Sequence, residues 1–317
     1  MSILVTGAAG FIGTHLVKNL LLSGEKVIGI DNFDPFYDKK IKLKNLESNT
    51  HENFTFIEGD LSNKDDILKA LNQEVECVVH LAAKAGVRPS LEAPKDYVKA
   101  NLDATVTLLE TMKEKDIKNF CFASSSSIYG KTKDIPFSEE ATFENAISIY
   151  ATTKQSGELF TQMYHNLYNF NIINLRFFTV YGPGQRPDLA IHKFLKANLL
   201  GETINVFGDG SMARDYTFVS DTVEGIVGAV NRLKSNSNLY ETYNLGNNTP
   251  VKLADLINEI EKVTGKACVK KYQDIPLGDV PITFANIDKA KENLGYNPKV
   301  NLEEGLQLMF EWIKKIY

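Results

Sequence analysis

From residue 2 to residue 178, short apolar runs alternate with longer stretches of helical spacing. The runs are SILVTG (2–7), KVIGID (26–31), FTFIEGD (54–60), CVVHLAA (77–83), NFCFASS (119–125) and IINLRFF (172–178). They are apolar throughout rather than at every second position, which fits strands buried on both faces. Between them, GTHLVKNLLLSG (13–24), DDILKAL (65–71) and DYVKANLDATVTLLETMKEKD (96–116) carry apolar residues at helical intervals. This alternation predicts an α/β chain: a Rossmann-type doubly wound parallel sheet with helices on both faces.

After about residue 180 the rhythm changes. Gly-Pro turns (YGPGQRPD, VFGDGS) break shorter elements, and helical patterns return at 190–200, 221–234, 251–264 and 302–316. A smaller, mixed C-terminal part is expected across the carboxyl ends of the strands, where open α/β sheets bind ligands. The expected division is a nucleotide-binding domain at 1–178, with a stretch at about 212–234 returning to it, and a substrate-binding part at 179–317. The polar stretch IKLKNLESNTHEN (41–53) reads as an exposed loop or helix.

Composition removes several alternatives. A net charge of −5 argues against nucleic-acid or anionic-membrane binding. Cys77, Cys121 and Cys268 are scattered and form no CxxC pair, so no disulfide framework and no metal site are expected. No basic, apolar leader opens the chain and no run is long enough to span a bilayer, so a reducing cytoplasm is the expected compartment.

TGAAGFIG places Gly7, Gly10 and Gly13 directly after a strand and before a helix. Gly7 suits the tight turn, Gly10 lets backbone N–H groups approach a pyrophosphate, and Gly13 lets helix and strand pack closely. Asp31, closing the second strand, can accept hydrogen bonds from both adenosine ribose hydroxyls and would repel a 2′-phosphate. NAD is therefore the expected cofactor rather than NADP. Asp60 suits the adenine amine, and Leu81, Ala82 and Ala83 pass beneath the cofactor. Phe11, Ile12, Asn32, Leu61, Asn101 and Phe177 complete the expected cofactor set.

Tyr150 and Lys154 stand four apart in YATTK, on one face of a helix. A free tyrosine has a pKa of about 10, but an ammonium and a positive nicotinamide ring both favour the phenolate. That phenolate can take the proton of a hydroxyl whose carbon is being oxidised. ASSSSIYG (123–130) adds hydroxyls at the end of the fifth strand.

Together, TGAAGFIG, SSSSIYG and YATTK resemble the extended short-chain dehydrogenase/reductase family, in its nucleotide-sugar epimerases and dehydratases. RFFTVYGP, RDYTFVSD, YNLGN and LGYNPKV extend the resemblance over essentially the whole chain. It implies that Ser125, Tyr150 and Lys154 are catalytic. Dehydrating relatives carry Asp-Glu after that serine, and decarboxylating ones tend to carry Glu at the second position. Here Ser126 and Ser127 follow instead, which favours 4-epimerisation with retained NAD.

The same resemblance implies a UDP-sugar substrate. Arg214 would meet the diphosphate, Asp279 the uridine ribose and Phe207 the uracil. Where galactose-type epimerases carry an arginine before that Gly-Asp, this chain has Ile275, Pro276 and Leu277. AKAGVRPS, which holds Arg88, and RFFTVYGPGQRPDLAIHKF are most similar to UDP-glucuronate 4-epimerases. Ser126, Ser127 and Thr179, with Arg186 nearby, would hold the sugar carboxylate; the same hydroxyls could bind a neutral hydroxymethyl group. UDP-glucuronate/UDP-galacturonate is the leading expectation and UDP-glucose/UDP-galactose or an N-acetylated sugar the alternative. A decarboxylase, a 4,6-dehydratase or a non-catalytic NAD-binding regulator ranks lower. Lys84 departs from the Gln common in this subgroup. A homodimer pairing the helices at 96–116 and 148–168 is implied as well.

Overall fold

β1 (Ser2–Thr6) is buried along its whole length and is an inner strand of the main sheet. The computed structural model describes residues 1–71, 74–141, 146–276 and 278–317. α1 (Phe11–Leu22), β2 (Lys26–Asp31), α2 (Lys39–Glu47), β3 (Phe54–Glu58) and α3 (Lys64–Ala70) follow on one side of β1. The chain then crosses over: β4 (Val75–His80), α4 (Val87–Glu92), α5 (Pro94–Val98), a π-helical turn (Lys99–Asp103), α6 (Ala104–Glu114) and β5 (Asn119–Ser125) build the other side. A short 3₁₀ turn (Ser126–Tyr129) precedes α7 (Ile149–Tyr168) and β6 (Asn171–Phe177).

Seven parallel strands form the main sheet in the order β10-β6-β5-β4-β1-β2-β3. The order reverses between β1 and β4, and Thr6 pairs with both Ile30 and His80, so three carboxyl ends meet at the reversal. Alternate residues of β1 face opposite layers. Ile3 and Val5 pack with Leu16, Val17 and Leu20 of α1, whereas Leu4 packs with Ile67 of α3 and Leu108 of α6.

The later elements are β7 (Thr179–Tyr181), α8 (Ala190–Leu200), β8 (Thr203–Phe207), β9 (Ala213–Phe218), α9 (Val219–Ser235) and β10 (Tyr240–Leu245). β11 (Pro250–Lys252), α10 (Leu253–Thr264), β12 (Val269–Gln273), α11 (Asp288–Leu294) and α12 (Leu302–Ile316) complete the chain. β11-β9-β7 and β12-β8 form two small sheets beside the main one. The fold class is as expected, with three local differences. The chain re-enters the main sheet at β10, beyond the 212–234 stretch. YETYNL is an edge strand whose first half is only partly buried, so it lacks the apolar signature of the inner strands. The stretch at 96–116 is helical as expected, but the helix changes at Lys99–Asp103 to a π-helical turn that carries Asn101 and separates α5 from α6. Lys42, expected on a solvated stretch, is buried. Among the described residues, no helix is long and apolar enough to cross a membrane, and no group of three or more His, Cys, Asp or Glu side chains could hold a metal ion.

Candidate active site

A cleft of about 800 Å³ opens at the carboxyl ends of β1, β2, β4, β5 and β6. That volume lies within the range of sites enclosing cofactor-sized ligands. Its floor begins at the glycine loop. Gly7 has φ +68°, and a Cβ there would come within 2.9 Å of the Ala82 nitrogen; at Gly13 it would lie 2.1 Å from the Gly7 carbonyl oxygen. The loop is thus drawn tight between the exit of β4 and the start of α1. α1 begins with no side-chain cap, leaving the N–H groups of its first turn available to an anion. Gly7, Gly10, Phe11, Ile12 and Gly13 all line the cleft.

At the end of β2, Asp31 is buried. Its Oδ2 accepts the Ala9 N–H at 3.2 Å and its Oδ1 the Phe33 N–H at 2.8 Å. The Lys42 ammonium stands 3.6 Å from Oδ1 and donates to the Asp34 carbonyl at 3.3 Å. Nothing in the sequence reading singled out Lys42; its spacing within KKIKLKNLE shows no strong apolar face. Asp60 accepts from the Ser62 N–H and hydroxyl at 2.8 Å each and from Asn32 Nδ2 at 3.0 Å. Burial pushes the Asp60 carboxyl up, but those hydrogen bonds and nearby Lys99 hold it below the usual range. Asn32 and Leu61 line this end of the cleft too.

β4 delivers Leu81, Ala82 and Ala83 to the cleft wall. His80, just before them, is fixed by Thr6 Oγ1 at 2.8 Å and Thr105 Oγ1 at 2.9 Å, and burial lowers its pKa to about 3. A neutral imidazole therefore knits β1, β4 and α6 together. Asn101, expected to contact the cofactor, is buried beside the cleft wall. Its Oδ1 accepts the Lys84 N–H at 2.8 Å, and its Nδ2 donates to the Lys84 carbonyl and to Thr153 Oγ1 at 3.0 Å each. Asn101 thereby ties the β4 exit to α7 from behind.

α7 carries Tyr150 and Lys154 into the cleft beside Ser125. Ser148 caps the helix by accepting the Ala151 N–H at 3.1 Å, which places Tyr150 in the first turn, at the positive end of the helix dipole. Burial raises the Tyr150 phenol; hydrogen bonding from Ser125 and the charge of Arg186 act the other way. Lys154 is fully enclosed: its ammonium donates to the Ala123 carbonyl at 2.7 Å and lies 5.1 Å above the Phe122 ring. Burial brings its pKa down to about 7, opposed by Glu158. Arg186 thus adds a positive charge acting on the phenol that the YATTK spacing did not suggest.

A buried network behind α7 fixes this geometry, and the sequence reading missed it. Glu158 receives Arg176 through Nε at 3.0 Å and Nη2 at 2.8 Å, and the Ser124 hydroxyl at 2.5 Å. Glu158 lies one turn beyond Lys154, so its spacing was a usable signal. Gly157 lets α7 approach β5: a Cβ there would fall 2.3 Å from Phe122.

On the far side, Ser126, Ser127, Phe177, Thr179 and Arg186 line the cleft. Ser125 Oγ donates to Ser127 Oγ at 3.2 Å, and no carboxylate follows Ser125 in the 3₁₀ turn. Arg186 grips Asp188 with two bonds of 2.9 and 2.8 Å and donates to the Ala85 carbonyl at 3.3 Å. Arg88, Phe207, Arg214 and Asp279 do not line this cleft. They gather around one another: Arg88 Nη2 lies 2.6 Å from Asp279 Oδ2, and its guanidinium lies 4.4 Å from the centre of the Phe207 ring. Burial lowers the Arg214 pKa, Asp279 raises it and Arg88 lowers it, so Arg214 sits among the same charges. Leu277 lies outside the described residues.

Comparison with known proteins places this geometry in a family. Residues 4–309 match the family model described as GDP-mannose 4,6 dehydratase. The chain is 46% identical to an uncharacterized protein of Methanocaldococcus jannaschii over 98% of this chain and 95% of the other. It is 40% identical to a UDP-glucuronate 4-epimerase of Thermodesulfobacterium geofontis, over 98% and 96%. A crystal structure of UDP-glucuronic acid 4-epimerase from Bacillus cereus with UDP-glucuronic acid and NAD superposes at a TM-score of 0.94, with 38% identity and full coverage of both chains.

Proposed function

The chain belongs to the extended short-chain dehydrogenase/reductase family, among its NAD-dependent nucleotide-sugar epimerases, and we propose that it interconverts UDP-glucuronate and UDP-galacturonate at C4. The observation that carries the sugar assignment is the hydroxyl cluster of Ser126, Ser127 and Thr179 in a cleft where no carboxylate stands beside Ser125.

The cleft suits NAD: a glycine cradle that a Cβ would fill, an uncapped helix N-terminus and the Asp31 carboxylate are the donor and acceptor set that a dinucleotide needs. Gly7, Gly10 and Gly13 would hold its pyrophosphate, Asp31 its adenosine ribose and Lys154 its nicotinamide end. Bound NAD supplies the redox chemistry at C4.

The protein's own residues do the rest. Tyr150, as phenolate, removes the C4 hydroxyl proton and later returns a proton to that oxygen, once the hydrogen on C4 has been restored from the opposite face. Ser125 hydrogen-bonds the same oxygen and keeps it within reach of the phenol. Ser126, Ser127 and Thr179 hold the C6 carboxylate through hydroxyls, without a neutralising cation in direct contact. That grip favours the intact carboxylate over its loss as carbon dioxide. Elimination of water would need an additional acid and base beside Ser125, and Ser126 and Ser127 offer neither. Arg214, Asp279 and Phe207 receive the UDP half, Arg214 through the planar fork suited to phosphate oxygens, with Arg88 part of the same cluster.

Incubation with UDP-glucuronate, UDP-glucose and UDP-N-acetylglucosamine in separate reactions tests the assignment. Conversion of UDP-glucuronate alone to its C4 epimer is expected. Turnover of UDP-glucose alone would move the hydroxyl cluster to a hydroxymethyl group and sink the uronate reading.

We place a second copy of the chain against α6 and α7. Leu159 and Leu167 of α7 are 61% and 64% exposed, two apolar side chains that a partner helix could cover. A dimer mass by light scattering is expected; a monomer at micromolar concentration would contradict it.

A further inference from the structure

We infer that Lys84 closes a salt-sensitive bridge across the cofactor cleft, slowing escape of the bound dinucleotide. This rests on the reading that the cleft holds NAD.

The topology sets the span. β4 and β2 flank β1 on opposite sides, so the segments leaving their carboxyl ends stand on either side of the glycine loop. Adjacent strands lie about 4.8 Å apart, so a contact from one segment to the other must reach over the loop that would cradle the pyrophosphate. Lys84, four residues past the end of β4, makes that contact. Its ammonium lies 3.3 Å from Asp34 Oδ2, in the segment after β2, and 3.7 Å from Asp96 Oδ2 on α5. Asp34, Lys84 and Asp96 all line the cleft.

Both ends of the bridge are held. Asn101 bonds the Lys84 backbone through its N–H and its carbonyl, which fixes the root of the side chain. Asp34 Oδ1 accepts the Phe36 N–H at 3.0 Å, while its own N–H donates to Asn32 Oδ1 at 3.0 Å. A second tie joins the same two segments: the Arg186 guanidinium lies 4.9 Å from the centre of the Phe36 ring and donates to the Ala85 carbonyl. The Lys84 side chain is 19% exposed and that of Asp34 28%. The bridge is therefore partly open to solvent, and ions can screen it. Without the ammonium, two carboxylates that now share one cation would face each other.

Exchange of bound NAD against free isotope-labelled NAD in the purified holoprotein measures the bridge. At about 0.05 M salt, Lys84→Gln should exchange roughly two- to fivefold faster than the parent, the range expected for partly exposed ion pairs. Asp34→Asn keeps the acceptor for the Phe36 N–H and should shift exchange in the same direction. The double variant should exceed the larger single effect by little, because both remove one contact. At about 1 M salt, where the screening length is about 3 Å, the differences should close. Unchanged exchange in Lys84→Gln would overturn the bridge. Faster exchange in Lys84→Gln with none in Asp34→Asn would overturn it too, since the ammonium would then act on the cofactor itself. A protein that carries no NAD as purified and takes up none overturns the cofactor reading, and the bridge with it; bound NAD that exchanges at the parental rate in both variants overturns the bridge alone.

Discussion

The floor of the cleft and the cluster beyond it are built in different ways. The floor consists of strand ends and the first turns of α1 and α7, with side chains locked by buried partners: Glu158 against Arg176 and Ser124, His80 against Thr6 and Thr105, Lys154 against Ala123. The cluster of Arg88, Phe207, Arg214 and Asp279 draws on three distant stretches of the chain, and an exposed Arg88 joins two of its other members. Chemistry that needs fixed geometry is expected on the floor, and binding that must open and close for each substrate in the cluster. Variants of the floor should therefore lower kcat or stability, while variants of the cluster should raise KM with little else changed.

Tyr150→Phe gives the largest expected effect. Removing the proton acceptor should lower kcat by about 10²- to 10⁴-fold while the protein keeps its NAD and its melting temperature. Near-parental turnover would remove Tyr150 from the chemistry. Next, Glu158→Gln leaves the Arg176 guanidinium buried without its carboxylate, which should cost roughly 3–5 kcal/mol by denaturant unfolding. A loss below about 1 kcal/mol, the range of exposed pairs, would show that this network does not fix α7.

The cluster should respond differently. Arg214→Gln should raise KM for the UDP-sugar roughly tenfold, in line with the loss of one charge-assisted contact, and leave kcat and unfolding close to the parent. A fall in kcat with unchanged KM would blur the division between the two regions. Arg186 lines the cleft and bonds Asp188 and the Ala85 carbonyl, and its effect should be the smallest. Its positive charge lowers the Tyr150 pKa, so Arg186→Gln should raise it. The phenolate then forms only at higher pH, and the ascending limb of the kcat/KM profile should move to the alkaline side by about a unit or less. A shift to lower pH would contradict that sign.

The same division governs how much could be read before the fold was known. The glycine spacing, the apolar runs and the four-residue step from Tyr150 to Lys154 are local patterns, and each places residues within one or two adjacent elements. Glu158 followed the same step and could have been found by extending it. Lys42, Asp34 and Asp96 could not, because their roles come from tertiary approach: β2 and β4 are adjacent to β1 only in space. Asn101 was expected at the cofactor, and its tie to the Lys84 backbone was not foreseen. The π-helical turn that carries it, whose side chain bonds the Lys84 backbone, leaves no mark in the apolar periodicity. β10 escaped for a related reason, since a half-buried edge strand does not show the pattern of an inner one.

The central claim is that Tyr150 moves a proton at C4 while the hydrogen on that carbon is held within the closed site and returned. UDP-glucuronate carrying deuterium at C4, incubated with the holoprotein in ordinary water, tests it directly. The account predicts UDP-galacturonate with the deuterium still at C4. Product with the deuterium lost to water, or release of carbon dioxide in place of an epimer, would contradict it.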